Sequence, residues 1–249
     1  MATVHEFPRR RHFLKSAAGI TAGAATLGLV SNFATIASAA DGSSQNPAAD
    51  AKPQSAGTLA PTGPAATRAD ASIIGPKAGL TPQVGTMASM LTWIQHAVVT
   101  PVKDLTRADL DWLFDANANT IGALLLHLAA TETYYQFNTF DGMKWDSWSD
   151  AVKQKWDAAM NLGAAGRSTI KGHDLDFYLT ALREARDKTL EGFRKRDDAW
   201  LMTVDQTWPW GPTNNYCKWF HVCEHESHHA GQIDMLIKRL PGAKPAKES

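Results

Sequence analysis

From residue 86 onward, apolar residues return every three or four positions, the repeat of a helix that buries one face. Four such runs stand out. The first, TMASMLTWIQHAVV over 86–99, carries Met87, Met90, Leu91, Trp93, Ile94, Ala97 and Val98, and Pro101 is expected to stop it. The second spans about 116–136, with Ile121, Leu124, Leu125, Leu128 and Tyr135 as its apolar positions. The third opens at GHDLDFYL, where Asp174 fits an N-cap, and continues to about Arg196. Phe177, Leu179, Leu182, Ala185, Leu190 and Phe193 mark its buried side. The fourth covers about 213–240 and ends at Pro241-Gly242. Within 137–167, SDAVKQKWDAAMNL predicts a shorter accessory helix, while TVDQTWPWGPT supplies turn and strand residues with Pro209, Gly211 and Pro212 as breakers. No series of alternating strands and no internal repeat accompanies them. The pattern predicts an all-α protein, a four-helix bundle with one accessory helix.

Composition alters this picture at the ends. Residues 1–39 read as a charged start, a weakly hydrophobic Ala/Gly-rich run and a small-residue Ala37-Ser38-Ala39 site, the pattern of a signal peptide cleaved after Ala39. Arg10-Arg11 followed by His-Phe-Leu-Lys is similar to the twin-arginine export signal, which predicts a periplasmic or secreted protein. Residues 40–85 hold six of the twelve prolines and no aromatic, too little apolar surface to offset the entropy of ordering, and are expected to be a disordered linker. The bundle is then assigned to 86–240, where all nine tryptophans lie, and 241–249 to a polar tail.

Charge narrows the partners. The whole chain is neutral, and without residues 1–39 it carries 21 basic and 24 acidic residues. Apart from Arg194-Lys195-Arg196, read as a solvated helix face, no basic cluster remains, so nothing points to nucleic acid. Nor is any stretch after residue 39 apolar enough to span a bilayer. Cys217 and Cys223, six apart on one helix, stand about 120° from one another, too far round for a disulfide.

The candidate chemistry lies in HVCEHESHHAGQ, which places His221, His225, His228 and His229 within nine positions. Histidines four apart on a helix lie about 40° from each other and one turn apart, so His221/His225 and His225/His229 are each able to grip one metal ion. All three do not converge on a single ion, and a further ligand must come from another helix. His127, set among leucines of the second run, is the candidate, against the plainer reading of a hydrogen-bonded core histidine. His228 faces the other side of His225, and His96 and His173 read as surface residues. Glu132 is either a hydrogen-bond acceptor behind the site or an exposed charge. HExxH, here His225-Glu226-Ser227-His228-His229, is also the zinc-protease pattern, yet the downstream third ligand that pattern needs is missing.

Together LLLHLAATE, around His127, and HVCEHESHHAGQIDML, with His221, His225, His229 and Gly231, make residues 86–240 resemble the DinB-like superfamily of four-helix-bundle metalloproteins. The resemblance implies metal ligands at His127, His225 and His229, with His221 at a recurrent position that is not a direct ligand and Gln232 as a hydrogen-bond partner behind them. It implies a divalent ion, Zn, Ni or Fe, with Zn slightly favoured, and a small-molecule substrate such as a low-molecular-weight thiol. It also admits a homodimer. Thiol transfer or hydrolysis by an exported metal-dependent enzyme is one expectation; a periplasmic metal-binding or stress protein without turnover is the other, and the resemblance does not choose between them. The Trp-rich stretches are expected either to fill helix seams or to line a substrate mouth.

Overall fold

The computed structural model describes residues 72–243. The predicted signal peptide and most of the predicted linker lie outside the described residues. Within them all regular structure is helical apart from one two-residue ladder. Its elements are α1 (Pro82–Val102), α2 (Arg107–Asp111), α3 (Ile121–Thr139), α4 (Asp150–Asn161), α5 (Gly163–Thr169), α6 (Leu175–Arg194), α7 (Asp198–Met202), β1 (Val204–Asp205), β2 (Thr213–Asn214) and α8 (Asn215–Ile237). The four long helices α1, α3, α6 and α8 are the four predicted runs. They pack α3 on α6, α1 on α8 and α3 on α8, with α4 laid along α3. No described helix is long and apolar enough to cross a membrane.

Local chemistry sets the helix starts. Thr120, Ser149 and Asn214 accept from the backbone N–H groups of Ala123, Val152 and Cys217, satisfying donors that have no partner inside their own helix. The start of α1 is capped from a distance instead. Oδ1 of Asp198, on α7, accepts from the Thr81 hydroxyl at 2.6 Å and from the N–H groups of Gln83 and Val84 at 2.9 and 3.0 Å.

Several expectations are corrected. Helix α1 begins at Pro82 rather than 86, so the end of the proline-rich stretch is helix; proline at a first-turn position needs no N–H partner. Pro101 does not stop α1, which runs one residue further to Val102. Asp174 occupies the N-cap position of α6 but makes no side-chain cap bond; its carboxylate lies 3.7 Å from Arg107. On α6 the predicted face holds except at Phe177, with Leu182, Ala185 and Phe193 buried and Leu179 and Leu190 partly buried against the core. Tyr178, Leu182, Ala185, Arg186, Thr189 and Phe193 are buried, while Phe177 is exposed and stacks on His173. The strand residues of TVDQTWPWGPT pair as Val204 with Asn214 and Asp205 with Thr213, antiparallel. Both cysteines are free thiols.

α3 is the central element. Burial runs around its whole circumference from Ile121 to Thr139, as expected for a helix enclosed by neighbours on every side. Such a helix must satisfy its polar side chains internally. Thr133 and Thr139 donate to carbonyls one turn back, and Gln136 donates to the Ala185 carbonyl and the Thr189 hydroxyl of α6. Two more of its buried polar side chains, His127 and Glu132, reach across to other helices.

Candidate metal centre

His127 projects from the middle of α3, and His225 and His229 lie one turn apart on α8. The ring centroids are 4.9 Å apart for His127 and His225, 4.7 Å for His127 and His229, and 4.5 Å for His225 and His229. One ring nitrogen from each comes within 4.8 Å of the other two. Among the described residues this is the one cluster of three metal-ligating side chains so arranged. His127 is buried and the other two are half-buried, so the cluster is closed on the α3 side and reachable from the α8 edge.

Hydrogen bonds orient the rings. His127 Nδ1–H donates to the Ala159 carbonyl of α4 at 2.9 Å, which leaves the lone pair on Nε2. His229 Nδ1–H donates to Gln232 Oε1 at 2.9 Å, with the same result. The Nε2 atoms of His127 and His225 face each other at 2.7 Å. With the His127 lone pair on Nε2, this contact is a hydrogen bond when His225 carries its proton on Nε2, and a pair of donors for a cation when it does not. Tetrahedral coordination at zinc–nitrogen lengths separates donors by about 3.3 Å, a small opening from this arrangement.

The electrostatics favour neutral rings, the form that ligates metal. Burial first, and the neighbouring His229 second, push His127 down to about 3 against the pull of its backbone hydrogen bonds. Burial and the surrounding histidines lower His225, and burial lowers His229. Three neutral imidazoles, two of them with tautomers fixed by neighbours, suit a borderline divalent ion, and three protein ligands leave a further coordination position for a water or a substrate atom. The residues present therefore fit such an ion.

The other histidines stand apart. His221 Nδ1 lies 3.2 Å from Glu224 Oε2, and its ring meets Trp210 edge-on at 4.8 Å and His225 at 5.6 Å. His228 is exposed. His96 meets the Thr100 hydroxyl on the outside of α1. Gln232 makes the bond expected of it, and a side-chain carbon added at Gly231 would meet nothing within 4 Å.

Glu132 is not an exposed charge. It is buried and pairs with Arg186 of α6, through Nε to Oε1 at 2.8 Å and Nη2 to Oε2 at 3.2 Å. The same guanidinium reaches Glu226 Oε1 at 2.6 Å. Glu226 is therefore held in the core, about 100° around α8 from His225, rather than beside the open face. That placement tells against the protease reading, in which this glutamate must activate a water near the ion. Arg186 escaped the sequence reading. Its signal was a charged residue in register with Leu182, Thr189 and Phe193 on the buried side of α6.

The tryptophans divide. Trp208 and Trp219 are buried; Trp145 and Trp208 meet Tyr135, and Trp219 stacks on Phe140, so these fill seams between helices. Trp210 is the exposed one of the 205–212 loop, beside His221. Lys218, buried on α8, pins that loop. Its ammonium donates to Asn138 and to Asp205, both at 2.8 Å, and sits 4.4 Å over the Trp208 ring.

A helical bundle in which one buried histidine of an inner helix meets two histidines of a facing helix defines a DinB-like protein with the donor set of a metal site. A family model described as mycothiol-S-transferase matches residues 86–242, and the chain belongs to that family. No curated protein matches the chain.

Proposed function

We propose that this protein is a divalent-metal-dependent S-transferase that uses a low-molecular-weight thiol, of the mycothiol kind named by its family, to attack a small electrophile. The observation that carries the reading is the convergence of His127, His225 and His229 with two of the three tautomers set by neighbours. These three residues would hold the ion, zinc being slightly favoured over nickel or iron. Held by these three imidazoles, a divalent ion would supply the Lewis acidity that favours the nucleophilic thiolate form of a small thiol at neutral pH.

The chain's own residues do the rest. Ala159 and Gln232 hold His127 and His229 with a lone pair toward the centre, so little reorganisation accompanies binding. Helices α3 and α4 exclude water from one side, leaving approach from the α8 edge, where Trp210 and His221 stand. Export by the twin-arginine route belongs to the same proposal and rests on Arg10, Arg11 and the Ala37-Ser38-Ala39 site. That route carries folded proteins, so the ion can be loaded before export.

The test is elemental analysis of tag-free protein beside His127→Ala and His229→Ala, followed by a thiol-consumption assay with mycothiol and an alkylating electrophile. About one equivalent of metal, lost in both variants together with thiol transfer, is the expected result. A folded wild type that takes up none of Zn, Ni or Fe(II) would overturn the reading. Fractionation of cells expressing the full chain and its Arg10→Lys/Arg11→Lys variant tests export separately.

A further inference from the structure

Arg186 joins the four long helices of the described residues. It stands on α6; its Nε and Nη2 bind Glu132 of α3, its Nη2 binds Glu226 of α8, and its Nη1 donates to the Leu91 carbonyl of α1. Four of the bonds a guanidinium can make are thus spent on three partners on three other helices, and all three charged side chains are nearly inaccessible to solvent. Its two carboxylate partners are on the two helices that carry the histidines. Glu132 lies five residues beyond His127, and Glu226 is the residue after His225.

That adjacency matters geometrically. A slip of α8 by one residue rotates its side chains by about 100° and moves them about 1.5 Å along the axis. Such a slip would carry His225 and His229 away from His127. Apolar contacts along α8 oppose the full slip as well, since it would turn Trp219, Val222, Ile233 and Leu236 out of the core, but they re-form after smaller shifts at modest cost. A buried guanidinium with a fixed fork of donors does not tolerate it, since any other register leaves a carboxylate unpaired in the core. The nearby Gln136 bonds to Ala185 and Thr189 lock α3 against α6 at the same level.

We infer that Arg186, through Glu132 and Glu226, is a positioning residue for the metal centre: it sets the height of α3 and the rotation of α8 at which His127, His225 and His229 converge. The inference rests on the reading of these three histidines as a metal site. It differs from a role in stability alone. Buried ion clusters are frequently replaceable by apolar side chains of similar volume without loss of stability, so a variant that keeps stability while losing metal affinity separates the two roles.

The experiment compares metal affinity and folding in the same tag-free proteins. Zn(II) dissociation constants are measured by competition with a chromophoric chelator, Co(II) d–d spectra report ligand geometry, and circular dichroism reports helix content and melting. The variants are Arg186→Lys, Arg186→Met, and the apolar triple variant Arg186→Met/Glu132→Leu/Glu226→Leu. Arg186→Lys retains the charge but not the fork, and is expected to bind Zn(II) roughly ten- to a hundredfold more weakly, with shifted Co(II) bands. The triple variant is expected to melt near the wild type yet to bind as weakly as Arg186→Lys. Arg186→Met leaves two carboxylates unpaired and serves to show the cost of breaking the cluster; if it does not fold, the other two variants decide. Wild-type affinity and an unchanged Co(II) spectrum in either Arg186→Lys or the triple variant would overturn the inference while leaving the metal site standing. A wild type that binds no metal would overturn the site itself, and the inference with it.

Discussion

Removal of the His127 imidazole is the sharpest single perturbation of the proposed centre. Two effects follow and must be separated. In the absence of metal, His127→Ala strands the Ala159 carbonyl, a cost of about 1–3 kcal/mol for a buried unsatisfied group, and opens a small void between α3 and α4. With metal, it leaves only the His225/His229 pair on α8. A ligand that binds only the folded state stabilises by RT ln(1 + [L]/Kd), about 2.7 kcal/mol at a hundredfold excess over Kd. For a domain of this size that raises Tm by about 5–10 °C. If losing the buried ligand weakens the site a hundredfold, the same metal concentration yields about 0.4 kcal/mol, a shift of about 1 °C. The assay is the difference in Tm with and without Zn(II), taken separately for each variant, so the metal-free cost cancels. His228→Ala is the control: it is exposed, stands outside the triad, and is expected to keep the full wild-type increment. An increment in His127→Ala within 2 °C of the wild type would refute the cross-helix site. So would its loss in His228→Ala.

Gln232→Leu removes the acceptor that holds His229 Nδ1–H and is expected to weaken Zn(II) binding about tenfold without changing helix content, read by chelator competition. Gly192→Ala should destabilise by about 1–2 kcal/mol in urea melts. Its methyl group would come within 2.4 Å of the Phe140 ring, which is held between Trp200 and Trp219, and that overpacking exceeds the roughly 1 kcal/mol gained in helix propensity. Burial acts to raise the Asp205 carboxyl, but the Lys218 bond and two bonds from Thr207 hold it at about 2. Its folded pKa is depressed, so the stability it contributes is present above the ordinary value of 3.8 and is lost as pH falls from 3.8 toward 2. Burial lowers the pKa of Lys218 itself, so the pair is worth less than the Asp205 shift alone implies, about 1 kcal/mol. Asp205→Asn should flatten the stability curve between pH 4 and 2; an unchanged slope there would mean the carboxylate contributes nothing.

The helical class was legible because each long run repeats its apolar residues at the helical period, and Thr120, Asn214 and the glycines and prolines between runs punctuate them locally. The candidate ligands were legible in part for the same reason. Spacing of four is a property of one helix, so His221/His225 and His225/His229 were equally able to grip an ion, and the chain order of α8 carries no preference between them. Family resemblance pointed to the second pair. Tertiary docking is what brings His127 against His229 and leaves His221 beside Trp210 and Glu224. Glu132 and Arg186 show the limit most plainly. A glutamate on an enclosed helix and an arginine on an amphipathic one are each ambiguous alone, since burial of either is costly. They become core residues only because α3, α6 and α8 meet at one height, where each supplies the charge the others need. Local sequence thus determined which faces exist and which side chains they offer. The meeting of those faces, a matter of long-range packing between residues up to about a hundred positions apart, decided which side chains share a site.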